Sequence, residues 1–182
     1  MSENQHGPPP PRASHPTGHR QEPSSSGMPA MNDDQLRPAL QAEYLHLQKA
    51  VEDMDGRALT IKAWSISFSL AAVAGAFASK ASNVLLLACA SAVLFWWLEA
   101  RWKTFQDAYY GRIDDIEQHF RGETALNSAL QIRKSWYRCW NGGSRKRLWE
   151  ILAWPHVALP HALVATISLA LFVLVRLGFV PL

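Results

Sequence analysis

The sequence predicts an all-α membrane protein: a long antiparallel helical hairpin of two spans with cytoplasmic coiled-coil extensions, then a cytoplasmic helix and a third transmembrane helix. Three observations predict it. Two uncharged apolar runs, Ala63–Ser79 and Ala81–Leu98, stand back to back with only Lys80 between them. Each run continues on its outer side into a stretch with heptad-like apolar spacing. A third run, Ile151–Val175, extends 25 residues without a formal charge, and a bilayer core needs only about 20.

A chain of 182 residues has room for one domain and not for two large ones. Its apolar fraction of 48% is ordinary, but the distribution is not. The chain is polar before residue 60, and three apolar blocks follow. Cys89 and Cys139 cannot build a disulfide framework and match no metal-ligand spacing. The net charge of +3 conceals an asymmetry. Residues 1–59 hold five Lys/Arg against eight Asp/Glu, whereas residues 101–155 hold ten against six. Arg145, Lys146 and Arg147 form the densest basic cluster. Because it lies just before the third apolar block, it reads as a flank that keeps that helix end in the cytoplasm, not as a nucleic-acid site.

Residues 1–33 read as a disordered tail. Pro8 to Pro11, Ser24 to Ser26 and scattered Gly, His and Gln cannot bury enough apolar surface to offset the entropy of ordering. A proline-rich docking peptide is the alternative. No apolar segment falls in the first 35 residues, so no signal peptide is expected. Met28 or Met31 would serve as well as Met1 for a start.

The hairpin occupies residues 34–122. Its first helix is expected to begin near Pro38, a residue suited to a first helical turn, with Asp33 and Asp34 at the positive end of the dipole. Leu40, Tyr44, Leu47, Val51, Met54, Ala58 and Ile61 then alternate four and three apart, as a coiled-coil seam does. The seam runs into the first span (about 61–79) with only Gly56 as a weak point. Ser79–Asn83 makes the turn. The second span (about 82–100) continues into an apolar stripe of Trp102, Phe105, Tyr109, Ile113, Ile116 and Phe120, with Gly122 as the stop. Each arm has about forty residues, roughly 60 Å of helix at 1.5 Å per residue.

Charge supports the register. Facing residues of an antiparallel pair have numbers with a near-constant sum, and Lys49 with Asp115, Glu52 with Arg112, and Arg57 with Asp107 share one sum and are opposite in sign. Exposed pairs of this kind contribute only about 0.2–1 kcal/mol each, so they bear on register more than stability. Lys62 and Glu99 come close to the same relation at the bilayer boundary. Trp64, Trp96, Trp97 and Trp102 surround them as an interfacial aromatic belt. Lys62 and Glu99 therefore read as interfacial side chains that reach for the headgroups and pair; an ion-pathway role is the alternative.

Within the spans, Ala71, Gly75 and Ser79 have small-xxx-small spacing, as do Ala88 and Ala92. Such faces allow close helix approach in lipid. They either seal the hairpin or join neighbouring copies. Residues 123–150 form a basic and aromatic cytoplasmic segment with a helix over 124–140, ended by Asn141-Gly142-Gly143. Trp149 beside the basic cluster suits a headgroup layer. The third transmembrane helix covers 151–180, with Pro155 and Pro160 bending its entrance and Arg176 reaching the far interface. His156 and His161 read as interfacial side chains, since zinc needs three or four convergent ligands.

With the basic segment inside, the protein is multi-pass in a bacterial inner membrane, its N-terminus cytoplasmic and its C-terminus outside. No Gly-rich phosphate loop, nucleophile elbow or His-Glu-x-x-His occurs, so no enzyme and no cofactor are expected. The expected partners are the lipid bilayer, further copies of the chain and a cytoplasmic protein; nucleic acid is not among them.

The stretch Glu43-Tyr44-Leu45 with Ala58-Leu59-Thr60-Ile61-Lys62-Ala63-Trp64-Ser65, and then Trp97-Leu98-Glu99-Ala100 with Lys103-Thr104-Phe105-Gln106, resembles small bacterial membrane proteins without an assigned activity. The order of soluble helix, two-span hairpin and soluble helix is similar to that of the SLATT-type two-span modules of bacterial conflict systems, over roughly residues 40–122. That resemblance implies a pore-forming or membrane-disrupting effector triggered by a sensing partner. It assigns no functional residue. The alternative is a membrane anchor or scaffold that recruits a soluble partner and conducts nothing.

Overall fold

The computed structural model describes residues 31–181, and the expected disordered tail lies outside them except for its last three residues. Among the described residues there is no strand. The elements are α1 (Asp33–Ser79), α2 (Asn83–Phe120), α3 (Ile132–Gly142), a 3-10 turn (Ser144–Arg147), α4 (Leu148–Leu152) and α5 (Pro155–Arg176).

Helix α1 starts earlier than Pro38. Asn32 supplies the carbonyl that receives the Gln35 and Leu36 amides at 2.9 and 2.8 Å, and Asp33 and Asp34 occupy the first turn. Pro38 therefore lies inside the helix, where its ring removes one amide donor near an end that has few bonds to lose. Three helices end in the same way. Ala81 and Lys80 donate back to Ala76 and Phe77, Glu123 and Gly122 to Gln118 and His119, and Phe179 and Gly178 to Leu174 and Val175. This paired closure needs a left-handed residue. Gly122 and Gly178 provide it at φ 79° and 80°, while Lys80 adopts φ 54° with a side chain.

Helices α1 and α2 run against each other in opposite directions, from the Tyr44–Glu117 hydrogen bond (3.0 Å) at one end to the Ser69–Ala88 contact near the other. Every residue of the Leu40–Ile61 seam is buried or half-buried. Leu36, Leu40, Leu47 and Val51 of α1 form a core with Ile113 and Ile116 of α2 and with Ala129. Of the α2 stripe, Phe105 turns instead to α3, stacking on Trp140 (4.8 Å between ring centres), which stacks in turn on Trp136 (5.3 Å). At Gly111 the two helices approach so closely that a Cβ would stand 2.2 Å from Cys139 Sγ.

The helix expected over 124–140 begins only at Ile132. Residues 121–131 instead follow an irregular path fixed by side chains, as described below. The third apolar run is also divided. Ala153 and Trp154 separate α4 from α5, because Pro155 forces the preceding residue out of helical conformation, and Trp154 has ψ 130°. Trp96 donates its indole N–H to the Leu152 carbonyl, 3.0 Å, at the break. Pro160, in contrast, is carried inside α5 without ending it.

Helices α1, α2 and α5 are each long and apolar enough to cross a membrane. Only 17, 28 and 17% of their most apolar windows are buried within the chain, so most of this apolar surface has no protein cover.

Candidate functional site

The faces on which α1, α2 and α5 meet are built from small residues. Ser65, Ser69 and Ala76 of α1, Ala88 and Ala92 of α2, and Ser168 of α5 are buried, at spacings that keep each set on one helical face. At one end of this seam the small residues give way to ionisable ones: Lys62 stands one turn before Ser65, Glu99 two turns after Ala92, and His161 two turns before Ser168. The three helices thus bring Lys62, Glu99, His161 and Ser65 together.

They form one hydrogen-bonded chain. Lys62 Nζ lies 2.5 Å from Glu99 Oε1, His161 Nε2 lies 2.9 Å from Glu99 Oε2, and Ser65 Oγ lies 2.9 Å from His161 Nδ1. Glu99, His161 and Ser65 are each 0% exposed, and only Lys62 reaches the surface, with 17% of its side chain accessible. An isolated carboxylate so deeply buried would cost several kcal/mol, and here each of its oxygens has a cationic or N–H partner. Two proton arrangements satisfy the imidazole. Neutral His161 donates from Nε2 to Glu99 and accepts the Ser65 hydroxyl; the imidazolium donates to both. The arrangement links a carboxylate, an imidazole and a hydroxyl through direct hydrogen bonds. Its order of hydroxyl, imidazole and carboxylate is that of a hydrolytic triad, but a hydroxyl with no exposed surface offers a carbonyl substrate no approach.

The sequence-derived site residues fall into three groups. Lys62 and Glu99 meet. The other three expected charge pairs do not: Lys49 bonds its own-helix neighbour Asp53 (3.6 Å), Arg112 bonds Glu43, Asp107 bonds Arg147 (2.6 Å) and Asp115 bonds Arg138. Arg57 stacks on Trp102, 5.8 Å from its ring centre, and Glu52 faces outward. The physical reason is helical phase. A constant sum of residue numbers ignores which face a residue is on, and Lys49 and Glu52 are on the outer face of α1. Glu43, in contrast, sits with Leu36, Leu40 and Leu47 on the inner one. Among the small residues, Ala88 and Ala92 are buried inside the chain, whereas Ala71 and Ser79 are exposed and Gly75 is half-buried. Trp64, Trp97, Trp149 and Arg176 are exposed, and Trp96 is half-buried against α4.

His161 corrects the expectation of an interfacial side chain, which only the exposed His156 fits. The period that places His161 inside was available, since it lies four residues after Val157 and seven before Ser168; nothing in the sequence named its partners. Glu43 is a second buried ionisable group that the apolar periods do not single out. Arg112 grips it with two parallel bonds of 2.9 Å from Nε and Nη2, and the same carboxylate receives the Leu130 amide at 2.8 Å. Leu130 has φ 60°, a strained value for a branched side chain, and this bond helps hold it there.

Nearer the α1–α2 polar contacts, burial pushes the Asp55 carboxyl up. Hydrogen bonds from Lys103 and Gln106, and the charge of Lys103, outweigh it and hold the group below its usual range. Hydrogen bonding to Glu150, aided by Asp107 and opposed by burial, raises Arg147. Among the described residues no group of three or more His, Cys, Asp or Glu is placed to hold a metal ion. Compared with protein-family models, curated proteins and solved structures, the chain matches none.

Proposed function

We propose that the chain is a multi-pass protein of a bacterial inner membrane that perturbs or permeabilises that membrane when several copies assemble. In this reading α1, α2 and α5 cross the bilayer. The remainder of α1 and α2, with α3, forms a cytoplasmic helical head that receives a signal from a soluble partner. The N-terminus is cytoplasmic and the C-terminus outside. Three apolar helices with little protein cover support the membrane assignment, because water would not tolerate so much bare apolar surface.

The observation that carries the effector role is the buried Lys62–Glu99–His161–Ser65 chain. A plain anchor needs only apolar spans. Ionisable groups inside them are costly and mark ion or proton pathways and moving parts. With Ser69, Ser91 and Ser168 they make the interior of the three-helix seam more polar than its outside, where α2 between Leu86 and Leu98 exposes only apolar side chains. Separation of α5 from α1 and α2 would open that polar row to water.

A non-conducting anchor or scaffold is the second reading. It is favoured by the closure of the same chain inside one protomer, where every buried side-chain nitrogen and oxygen among the described residues has a partner. Induced expression in cells carrying a membrane-potential dye separates the two. Depolarisation within minutes, altered by Glu99→Gln, is the expected result for an effector. Unchanged potential and growth at high expression of wild type would leave only the anchor.

A further inference from the structure

An open apolar groove of about 560 Å³ lies where α4 and α5 meet α2, lined by Val93, Trp96, Trp97, Trp149, Leu152 and Ala158. Its volume falls in the range of roughly 300–1,000 Å³ common to small-ligand sites. The indole N–H of Trp96 is bonded to the Leu152 carbonyl, and the wall that the groove presents is almost wholly apolar. The interior is therefore suited to hydrocarbon and to little else.

What lies at its end decides the ligand. Val93, Trp97 and Arg101 are four residues apart on one face of α2, so Arg101 stands about 6 Å beyond Trp97 along the helix. Its guanidinium rests on the rings of Phe105 and Trp140, 5.4 and 5.8 Å from their centres. Stacking covers the face of a guanidinium and leaves its in-plane N–H donors free, the geometry with which arginine receives phosphate. Among the described residues Arg101 has no acidic partner, and neither do Arg145 and Lys146, two exposed cations in the turn that leads into Trp149 and the groove wall. An apolar slot with unneutralised cations on the next turn of α2 and in the turn before Trp149 matches a ligand that is itself apolar at one end and anionic at the other.

We propose that this groove binds an anionic phospholipid of the cytoplasmic leaflet, an acyl chain lying along Val93, Trp97 and Trp149 and the phosphate on Arg101. Basic pockets between helices on the cytoplasmic side hold such headgroups. The inference rests on the membrane reading above and names a partner for it. Site occupancy would tie α4 to α2 and so steady the junction between the spans and the head.

The full-length protein, purified in detergent, is mixed with phosphatidylglycerol or phosphatidylcholine of identical chains, and retained lipid is counted by native mass spectrometry. Wild type retains phosphatidylglycerol preferentially. Arg101→Gln lowers that retention about fivefold, the factor expected for one basic residue near an anionic surface, and leaves phosphatidylcholine unchanged. Ala158→Trp, or Val93→Trp should the first variant fold poorly, fills the slot and lowers retention of both lipids. The double change Arg145→Gln with Lys146→Gln weakens the preference less than Arg101→Gln does.

Equal retention of the two lipids by wild type, or a preference that survives Arg101→Gln, overturns the proposal. Competition by millimolar inorganic phosphate overturns it in favour of a plain anion site. A change of oligomeric state in Ala158→Trp without lipid loss means that a second copy covers this face, and the proposal fails. Alkaline carbonate washing of cell membranes tests the underlying reading separately. Protein that washes off defeats the membrane assignment, whereas protein that stays but shows no lipid preference defeats the lipid site alone.

Discussion

Glu43 and Arg112, 69 residues apart, meet in a buried bidentate ion pair between α1 and α2, and both partners also hold the irregular segment that follows α2. Glu43 receives the Leu130 amide and Arg112 donates to the Ser128 carbonyl at 3.2 Å. The pair is a clamp with a strand of loop in its grip. It explains how a stretch without helix or sheet holds one path across the head.

Breaking one side of this clamp is expected to be more harmful than removing both. Arg112→Leu leaves Glu43 charged and buried, a situation that costs about 3–5 kcal/mol. Glu43→Leu with Arg112→Leu removes the orphaned charge, and should regain part of that loss while leaving the Leu130 amide without its acceptor. Thermal unfolding of Arg112→Leu, Glu43→Leu and the double variant checks the order. A double variant less stable than either single one would contradict the clamp.

Gly111 gives a sharper steric test. Replacing it by Ala brings a Cβ to 2.2 Å from Cys139 Sγ, a distance that real Cβ atoms do not tolerate. Gly111→Ala should therefore loosen the α2–α3 contact despite the roughly 0.8–1 kcal/mol that Ala gains over Gly inside a helix. Adding Cys139→Ala removes the clashing sulfur and leaves Cβ of residue 139 at an ordinary 3.6 Å. The double variant is then expected to equal or exceed wild type in melting temperature, a rescue that no general weakening of α2 would show.

Much of the architecture was legible because it rests on period and composition. Apolar runs, the Leu40–Ile61 seam and the stop at Gly122 are one-dimensional signals, and they appear as long helices in contact. The ion pairs were legible only where flanking apolar sequence constrained them. Lys62 and Glu99 border apolar runs on both arms, so each has few other neighbours, whereas Lys49, Glu52 and Asp115 each have several candidate partners that a sum of residue numbers cannot tell apart. Segment 121–131 could not be read at all. Its path depends on Glu43, more than eighty residues away, and no local pattern encodes such a partner. His161 lay between the two cases, with its face predictable and its partners not.

The head should also lose stability in acid through Asp55. Its folded-state carboxyl is held below the ordinary value of 3.8, so the contribution is fully present above that value and fades as pH falls through the folded one. Asp55→Asn removes the charge that Lys103 meets while keeping a group able to bond Gln106. The wild type is expected to be more stable than this variant at pH 6, with the difference shrinking below about pH 4. A gap of constant size from pH 6 to pH 3 would show that Asp55 acts through shape alone.

The Lys62–Glu99–His161 chain makes a prediction about coupling rather than about any single residue. Glu99 has one partner on each oxygen, so Lys62→Met leaves it His161, and His161→Leu leaves it Lys62. Either change alone keeps the buried carboxylate half-satisfied. Together they leave it with none, and an unpaired buried charge is penalised far more steeply than a poorly paired one. The double variant should therefore be less stable than the sum of the two single losses by about 0.5–3 kcal/mol, the range seen for residues that share a network. Glu99→Leu added to the double variant removes the charge and should recover stability toward that of the single variants. Melting curves in one detergent, compared across wild type and the four variants, read the coupling directly. Simple additivity, with no recovery on removing Glu99, would mean that Lys62 and His161 do not act through it.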